Sequence, residues 1–270
     1  MAVMSTPESK PQALQKRLVL FASEIVHVSA NLPKTLQASH IAKQVLRLCD
    51  FSSQEAIRRL AADYRNRHDR LDVLVNNAGT VYRKRTLTPD GIEATFAVNH
   101  LGYFLLTNLL LDVIRKSAPS RIVTVASIGH RGGTLDFDNL GFERGGYRIM
   151  RAYARSKLAN VLFAAELSRR LAGTGVTSNS LHPGGVNTNI WSGAPTYMKP
   201  FITLLLKPFL ISAKEGGDTI VQLAADPALD AVTGRYFEKK RPVAPAPLAE
   251  DEALARRLWE VSARLVNLDA

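Results

Sequence analysis

The sequence lacks several features that would each define a class of protein. Its 270 residues contain one cysteine, Cys49, which excludes an internal disulfide and a multi-cysteine metal site. No apolar run reaches the roughly 18 residues of a membrane-spanning helix, and residues 1–12 lack the charged-then-apolar pattern of a secretory signal. We therefore expect a cytoplasmic protein with a flexible tail over residues 1–12 and no transmembrane segment.

Metal ligands and blocks of charge are also scarce. The six histidines form no HExxH motif or close pair, so a catalytic metal has no support. The net charge of +11 is spread along the chain, which favours a solvated basic surface over a nucleic-acid site. Because 46% of the residues are hydrophobic, the chain can bury a full core, and we expect a single domain over residues 13–270.

Strand and helix patterns alternate from residue 45 onward. Short apolar runs predict strands at residues 45–50, 71–75, 121–126 and 176–181. A Ser52/Glu55 capping box predicts the start of one helix, and a second helix is predicted after a turn at residues 88–91. Two further helices are predicted over residues 150–171 and 249–265. The alternation predicts an α/β fold with a doubly wound, Rossmann-like parallel sheet in three layers, in which ligands bind at the carboxyl ends of strands.

A tyrosine and a lysine lie four residues apart in the third predicted helix. This spacing places Tyr153 and Lys157 on one helix face, where an adjacent ammonium would favour the phenolate and lower the pKa of the tyrosine. Ser127, at the end of the preceding strand, would hold a carbonyl or alcohol oxygen beside the phenol. The pair alone is a weak signal, because a solvent-facing Tyr-x-x-x-Lys arises often by chance.

The order of several motifs is more specific than this pair. The segments are LVNNAG (74–79), FAVNHLGYFLLTNLL (96–110), RIVTVASIGH (121–130), YARSKLANVLFAAELSRRL (153–171), LHPGGVNT (181–188) and GRYF (234–237). On these segments, from about Val45 to Phe237, the chain resembles the short-chain dehydrogenase/reductase family and, more narrowly, its retinol-dehydrogenase-like branch. The resemblance implies an enzyme that transfers a hydride between NAD or NADP and a lipophilic aldehyde, ketone or alcohol.

The resemblance also implies roles for individual catalytic residues. Tyr153 would be the general acid/base, and Lys157 would lower the pKa of Tyr153 and bind the nicotinamide ribose. Ser127 would orient the substrate oxygen, and Asn99 would complete a proton relay through water. A structural alternative stays open for Asn99, which would then only tie a helix to a strand.

Cofactor-binding residues follow from the same resemblance. They are Asp50, Phe51, Asn77, Ala78, Gly79, Tyr153, Lys157, Pro183, Gly184, Val186 and Thr188. Structural alternatives stay open for two of them: Gly79 would then only permit a turn, and Thr188 would only cap a helix. The branch slightly favours NADP, but Asn31 falls where the family often has a basic residue for the 2′-phosphate, so the choice stays open.

The N-terminal region departs from the family pattern. A dinucleotide site begins with a strand and a Gly-rich turn, because glycine lets the backbone approach the pyrophosphate. Here the first glycine is Gly79, and two βαβ units of about 30 residues each would not fit before Asp50. We therefore expect an incomplete or altered first βα unit, with residues 24–35 resembling the second strand and its turn.

Three hypotheses follow from this departure. The chain is an active reductase whose phosphates are held by other backbone groups or by basic residues such as Lys16 and Arg17. Alternatively, it is a non-catalytic relative that binds a lipid-like ligand or a partner protein, or a truncated product with impaired cofactor binding. The matched catalytic residues favour the first hypothesis, and the missing glycines favour the other two.

An apolar insertion at residues 190–212 follows the segment that would flank the nicotinamide. Its place predicts a lid that selects lipophilic substrates, with a buried helix or an oligomer contact, as in a homodimer, as alternatives. Lys199 and Lys207 beside the apolar residues also leave peripheral contact with an anionic membrane open.

Overall fold

A computed structural model describes residues 50–184 and 213–268 of the chain. Its sheet contains five strands, which are β1 (Val73–Asn76), β2 (Ser120–Val125), β3 (Val176–His182), β4 (Tyr236–Glu238) and β5 (Arg241–Val243). They are ordered as in the sequence; β1 to β4 are parallel, and β5 pairs antiparallel with β4. The carboxyl ends of the parallel strands therefore lie along one edge of the sheet.

Five longer helices accompany the sheet within the same residues. They are α1 (Gln54–Arg67), α2 (Ala94–Lys116), α3 (Ile149–Arg170), α4 (Ala213–Ala225) and α5 (Glu252–Leu265). α1 packs against α2, and α5 packs mainly against α3. α1 and α2 therefore form one packed pair of helices, and α3 and α5 form another.

The two faces of the sheet are covered by different helices. Val123 and Leu181 form an apolar cluster with Leu223 of α4. Ser178 points the other way and donates a hydrogen bond to the Ala164 carbonyl of α3. Because successive strand residues face opposite sides, these contacts place α3 and α4 on opposite faces. The predicted three-layer α/β architecture is confirmed for the described part of the chain.

α2 contains a short π-helical turn, Ala97–Leu101, near its N-terminus. The backbone N–H of Gly102 donates to the Ala97 carbonyl five residues earlier, where an α-helix would use a spacing of four. By length and composition α2 could cross a membrane, but 72% of its apolar window is buried inside the fold. A helix with this burial forms part of the core.

Most predicted elements lie within a few residues of the observed ones, and the differences concern their ends. Ser53 rather than Ser52 caps α1, accepting a hydrogen bond from the Ala56 backbone N–H at 3.3 Å. Ser52 instead donates to the Asp50 carboxylate, which competes with the predicted capping box. Asp50 belongs to no strand, and α5 begins at Glu252 after the Asp251 cap, three residues later than predicted.

Several predictions fall outside the described residues. They are the tail over residues 1–12, the altered first βα unit, nearly all of the strand at 45–50, the lid at 190–212, and the cofactor residues Val186 and Thr188. They stay predictions, as does the single domain over residues 13–270.

Candidate active site

Ser127 lies just beyond the carboxyl end of β2. The chain is extended there, with φ −168° and ψ 158°, and then enters a 3₁₀ turn at Ile128–Gly132. The hydroxyl oxygen accepts a hydrogen bond from the Gly129 backbone N–H at 3.1 Å, and the residue is 9% exposed. This acceptor role leaves the hydroxyl proton available for a second partner.

Tyr153 lies in the second turn of α3 and meets Ser127 beside Gly129. A Cβ built on Gly129 would lie 3.4 Å from Cε1 of Tyr153 and 3.5 Å from Oγ of Ser127. Burial raises the pKa of Tyr153, and the hydrogen bond with Ser127 lowers it. The two predicted catalytic hydroxyl groups are therefore brought together, and they are electrostatically coupled.

Lys157 lies one helical turn after Tyr153, and its side chain is buried against the end of β2. Its Nζ donates to the Val125 carbonyl at 2.9 Å and lies 5.7 Å from the centre of the Tyr153 ring. The residue is 3% exposed, and burial lowers the pKa of its amine to about 7. At neutral pH the amine is therefore poised between its charged and neutral forms.

The predicted influence of Lys157 on the pKa of Tyr153 is not among the effects that set this pKa in the structure, and it stays a prediction. The net effect is a raised pKa of Tyr153, and Ser127 is the group that lowers it. The physical reason is burial, which penalises the phenolate and also weakens the charge on Lys157.

Asn99 lies in the π-helical turn of α2 and is fully buried. Its Nδ2 donates to the Thr80 carbonyl and to Oγ of Ser156, both at 3.0 Å, and its Oδ1 accepts from the Thr80 N–H at 2.8 Å. These bonds join α2 to the segment after β1 and to α3, which supports the structural alternative for this side chain. Its place in a proton relay stays a prediction.

Gly79 follows β1 and brings its backbone beside the catalytic residues. A Cβ at this exposed glycine would lie 3.6 Å from Oδ1 of Asn99 and 3.7 Å from Nζ of Lys157. Next to it, the Ala78 carbonyl accepts a short hydrogen bond from the Tyr103 hydroxyl. The motif after β1 therefore lies at the same edge as Lys157, while the neighbouring Asn77 is partly exposed.

Phe51 occupies a second part of the predicted cofactor surface. Its ring contacts Tyr103 edge-on, with 6.4 Å between the ring centres. The ring also covers Gly102, where an added Cβ would lie 2.5 Å from Cδ1 of Phe51. Tyr103 thus contacts both Phe51 and Ala78, so one buried ring joins two segments that the sequence assigned to the cofactor.

Pro183 and Gly184 follow the carboxyl end of β3, which pairs with β2 at that edge. Both residues are partly exposed, and Gly184 has φ 95°, a conformation that favours glycine. This placement is compatible with the predicted position beside the nicotinamide.

Sequence reasoning missed His130, which was considered only as a metal ligand. Its ring is completely buried, with Nδ1 2.7 Å from the Ser127 carbonyl oxygen and Nε2 3.0 Å from the Ala246 backbone nitrogen. The feature of the sequence that could have indicated a role for His130 is its position three residues after Ser127. The contact with Ala246, 116 residues away, leaves no local pattern in the sequence.

A nicotinamide cofactor fits the residues at this edge. One of the three N–H donors of Lys157 bonds to Val125, which leaves two for the hydroxyl groups of a ribose. The exposed Gly79 has no side chain to obstruct the space beside Nζ of Lys157. Lys157 and Tyr153 would therefore hold the nicotinamide end, while the residues expected at the pyrophosphate end precede the described part of the chain.

Comparisons with known proteins agree with this geometry. A family profile described as short chain dehydrogenase matches residues 14–197. Human retinol dehydrogenase 13 is 46% identical over 225 residues, covering 82% of this chain and 68% of that protein. Human retinol dehydrogenase 14 is 43% identical over 232 residues, covering 85% of this chain and 69% of that protein.

Solved structures show the same fold. A crystal structure of an uncharacterised protein from Mycobacterium paratuberculosis has a TM-score of 0.63 and 30% identity, covering 83% of this chain and 75% of that one. RhlG from Pseudomonas aeruginosa has a TM-score of 0.55 and 21% identity, covering 83% of this chain and 84% of that one. Together, profile, relatives and fold show that this chain belongs to the short-chain dehydrogenase/reductase family of oxidoreductases, in its retinol-dehydrogenase-like branch.

Proposed function

We propose that the protein interconverts a lipophilic alcohol and the corresponding aldehyde or ketone with a nicotinamide cofactor. The observation that carries this proposal is the convergence of Ser127, Tyr153 and Lys157 at the carboxyl end of β2. The Ser127 hydroxyl and the Tyr153 ring meet beside Gly129, and Nζ of Lys157 lies 5.7 Å from the centre of that ring. This set can bind an oxygen atom and move a proton to or from it.

The cofactor, when bound, supplies or accepts the hydride. In the reducing direction, the Tyr153 hydroxyl gives its proton to the carbonyl oxygen, and in the oxidising direction the phenolate removes it from the alcohol. The Ser127 hydroxyl donates a hydrogen bond to the same oxygen, because its own oxygen already accepts from Gly129. Lys157 stabilises the phenolate and holds the ribose.

Two exposed apolar side chains adjoin the catalytic residues and support a lipophilic substrate. Ile128, next to Ser127, is 46% exposed, and Met150, one turn before Tyr153, is 48% exposed. Exposed apolar side chains beside a polar site offer surface against which the hydrocarbon part of a substrate can pack. Because two relatives are named as retinol dehydrogenases, we include retinoids among the substrates of this chain, with NADP slightly favoured over NAD.

Replacement of Tyr153 by Phe tests this function directly. The purified chain should reduce retinaldehyde or another long-chain aldehyde with NADPH or NADH, and Tyr153→Phe should abolish turnover because the proton donor is lost. Circular dichroism should show that the variant is folded, and calorimetry should show that it still binds the cofactor. An unchanged rate in Tyr153→Phe, or no cofactor binding by the folded wild-type chain, would contradict the proposal.

A cytoplasmic location and a homodimer complete the proposal as predictions. Cell fractionation and analytical ultracentrifugation would test them, and recovery of the protein in a salt-resistant membrane fraction would contradict the location.

A further inference from the structure

The imidazole of His130 bridges the catalytic Ser127 and a segment close to the C-terminus. Nδ1 lies 2.7 Å from the Ser127 carbonyl oxygen, and Nε2 lies 3.0 Å from the backbone nitrogen of Ala246. A carbonyl oxygen can only accept a hydrogen bond and a backbone N–H can only donate one. The ring must therefore carry its proton on Nδ1 and accept at Nε2, which fixes a single neutral tautomer.

The Ser127 carbonyl receives two hydrogen bonds from His130. The backbone N–H of His130 donates to it at 3.1 Å, in addition to the ring nitrogen. On the other side of the same residue, the Ser127 hydroxyl oxygen accepts from Gly129. The main chain and the side chain of Ser127 are thus both held by the turn at Ile128–Gly132.

A second side chain on this turn binds the same C-terminal segment. Nη2 of Arg131 donates to the Ala244 carbonyl at 2.9 Å, while His130 accepts from the Ala246 N–H. Residues 244–246 follow β5 and are attached to the turn at these two points. Of these two side chains, only His130 also binds Ser127. Substitutions at His130 and at Arg131 can therefore separate the effect on Ser127 from the attachment of residues 244–246.

Three neighbouring elements contribute charged or titratable groups around His130. Arg131 lies on the same turn, and its Nη2 is 3.6 Å from Oε1 of Glu238 on β4. The Tyr236 ring of β4 is centred 4.7 Å from the imidazole. On β3, burial lowers the pKa of His182, and repulsion by the charged form of His130 lowers it further. From α3, Tyr153 approaches the turn at Gly129.

We propose that His130 is a positioning residue for Ser127. The imidazole, held as the Nδ1–H tautomer by the Ala246 N–H, fixes the Ser127 carbonyl and thereby directs the Ser127 hydroxyl toward Tyr153 and the substrate oxygen. Protonation of the ring would place an N–H donor opposite the Ala246 N–H and break the bridge. This inference rests on the proposed function, because the role of Ser127 belongs to that reaction.

Two substitutions separate the two ends of the bridge. In His130→Asn, the amide nitrogen takes the place of Nδ1 and still donates to Ser127, but the acceptor for Ala246 is lost. In His130→Gln, the longer side chain brings an amide oxygen to the place of Nε2, but the donor to Ser127 is lost. We expect His130→Asn to keep most of the wild-type kcat, and His130→Gln to lower kcat about tenfold, the effect of one hydrogen bond.

Arg131→Ala provides the matched control, because it removes the contact with Ala244 and leaves the bridge to Ser127 intact. We expect this variant to lose thermal stability while kcat stays at the wild-type value. Equal kcat in His130→Asn and His130→Gln would overturn the proposal. So would a fall in kcat of Arg131→Ala as large as that of His130→Gln, since docking of the segment would then explain both.

The tautomer itself is measurable without any turnover. In the wild-type chain, ¹⁵N NMR of the histidine side chains at neutral pH should show a protonated Nδ1 and an unprotonated Nε2 for His130. An Nε2–H tautomer or a charged ring would overturn the proposal even in an active enzyme. Absence of dehydrogenase activity together with the expected tautomer would instead contradict the proposed function, so the two failures can be told apart.

Discussion

The proton affinity of Tyr153 results from two opposing local effects. Burial makes the phenolate costly and raises the pKa of Tyr153, while the Ser127 hydroxyl stabilises the phenolate and lowers it. At neutral pH the tyrosine is therefore protonated, as a proton donor to a carbonyl must be. Alcohol oxidation needs the phenolate and should rise in rate with increasing pH.

Removal of the Ser127 hydroxyl should shift this pH dependence. In Ser127→Ala the group that lowers the pKa of Tyr153 is lost, so the alkaline midpoint of alcohol oxidation should move to higher pH. The rate should also fall by about tenfold or more, because the substrate oxygen loses a hydrogen-bond donor. Because the pKa of Tyr153 is raised above its usual value, rate profiles that extend from about pH 7 to about pH 11 provide the measurement. Ser127→Thr keeps a hydroxyl and is the control; an unchanged midpoint in Ser127→Ala would contradict the coupling.

Lys157 is a residue at which function and stability oppose each other. Its amine has a pKa of about 7 because burial penalises the charge. Lys157→Met keeps a long side chain and removes this charge, and the Val125 carbonyl still accepts from Nδ2 of Asn160 at 3.3 Å. We expect the variant to unfold at a temperature no lower than that of the wild type.

The same Lys157→Met variant should lose both cofactor affinity and turnover, because one amine serves the ribose and the tyrosine. Calorimetric titration and steady-state kinetics measure the two losses separately. Full cofactor affinity with a loss of turnover alone would show that the contact with the ribose is wrong.

Among the secondary-structure elements, the hairpin that joins β4 and β5 is conformationally strained. Its two connecting residues, Lys239 and Lys240, have φ angles of 47° and 67°, which are unfavourable for side chains with a Cβ. Two-residue hairpins of this kind favour Asn-Gly. Lys240 also lies 3.4 Å from the Asp218 carboxylate, but both side chains are about half exposed and such a pair contributes little.

Replacement of Lys239 by Asn together with Lys240 by Gly should therefore stabilise the protein. We expect a gain of about 1 kcal/mol in the free energy of unfolding, since the strain at two positions exceeds the small loss of the ion pair. Urea denaturation measures the change. Lys239→Ala together with Lys240→Ala is the control, because it removes both charges and keeps the strain; an equal gain in this control would refute the conformational explanation.

The predicted helices and strands show which local features periodicity can detect. The strands at 121–126 and 176–181 and the helix at 150–171 were predicted within one residue at each end, because their apolar faces repeat with the period of the element. The π-helical turn at Ala97–Leu101 was not predicted. A π-helical turn contains one residue more than an α-helical turn, and here contacts such as those of Asn99 with Thr80 and Ser156 stabilise it. Hydrophobic periodicity cannot predict contacts of this kind.

At the scale of the whole fold, buried and partly buried histidines among the described residues make stability dependent on pH. Burial lowers the pKa of His100 to about 3 and also lowers the pKa values of His130 and His182. The unfolded chain takes up protons at these side chains below about pH 6.5, while the folded chain does not. The contribution of these histidines to stability is therefore complete above about pH 6.5 and is lost as the pH falls. For His100 this loss continues down to about pH 3.

His100→Gln should reduce this acid sensitivity. Chemical denaturation at several pH values should show a smaller slope of unfolding free energy against pH between about pH 6.5 and pH 4 than in the wild type. Ser262→Ala is the control, since it removes the hydroxyl 2.9 Å from Nε2 of His100 without removing a titratable group. It should lower stability at every pH and leave the slope unchanged; an unchanged slope in His100→Gln would contradict the assignment.

The sequence by itself determined the alternation of strands and helices, the placement of Tyr153 and Lys157 on one helix face, and the family. These properties depend on neighbours within a few residues, whose relative positions are set by the backbone period and the order of motifs. The approach of Ser127 to Tyr153, the burial that lowers the pKa of Lys157, and the bridge from His130 to Ala246 were decided by the tertiary structure. The physical reason is that burial and contacts between distant segments arise only when the helices pack on the sheet.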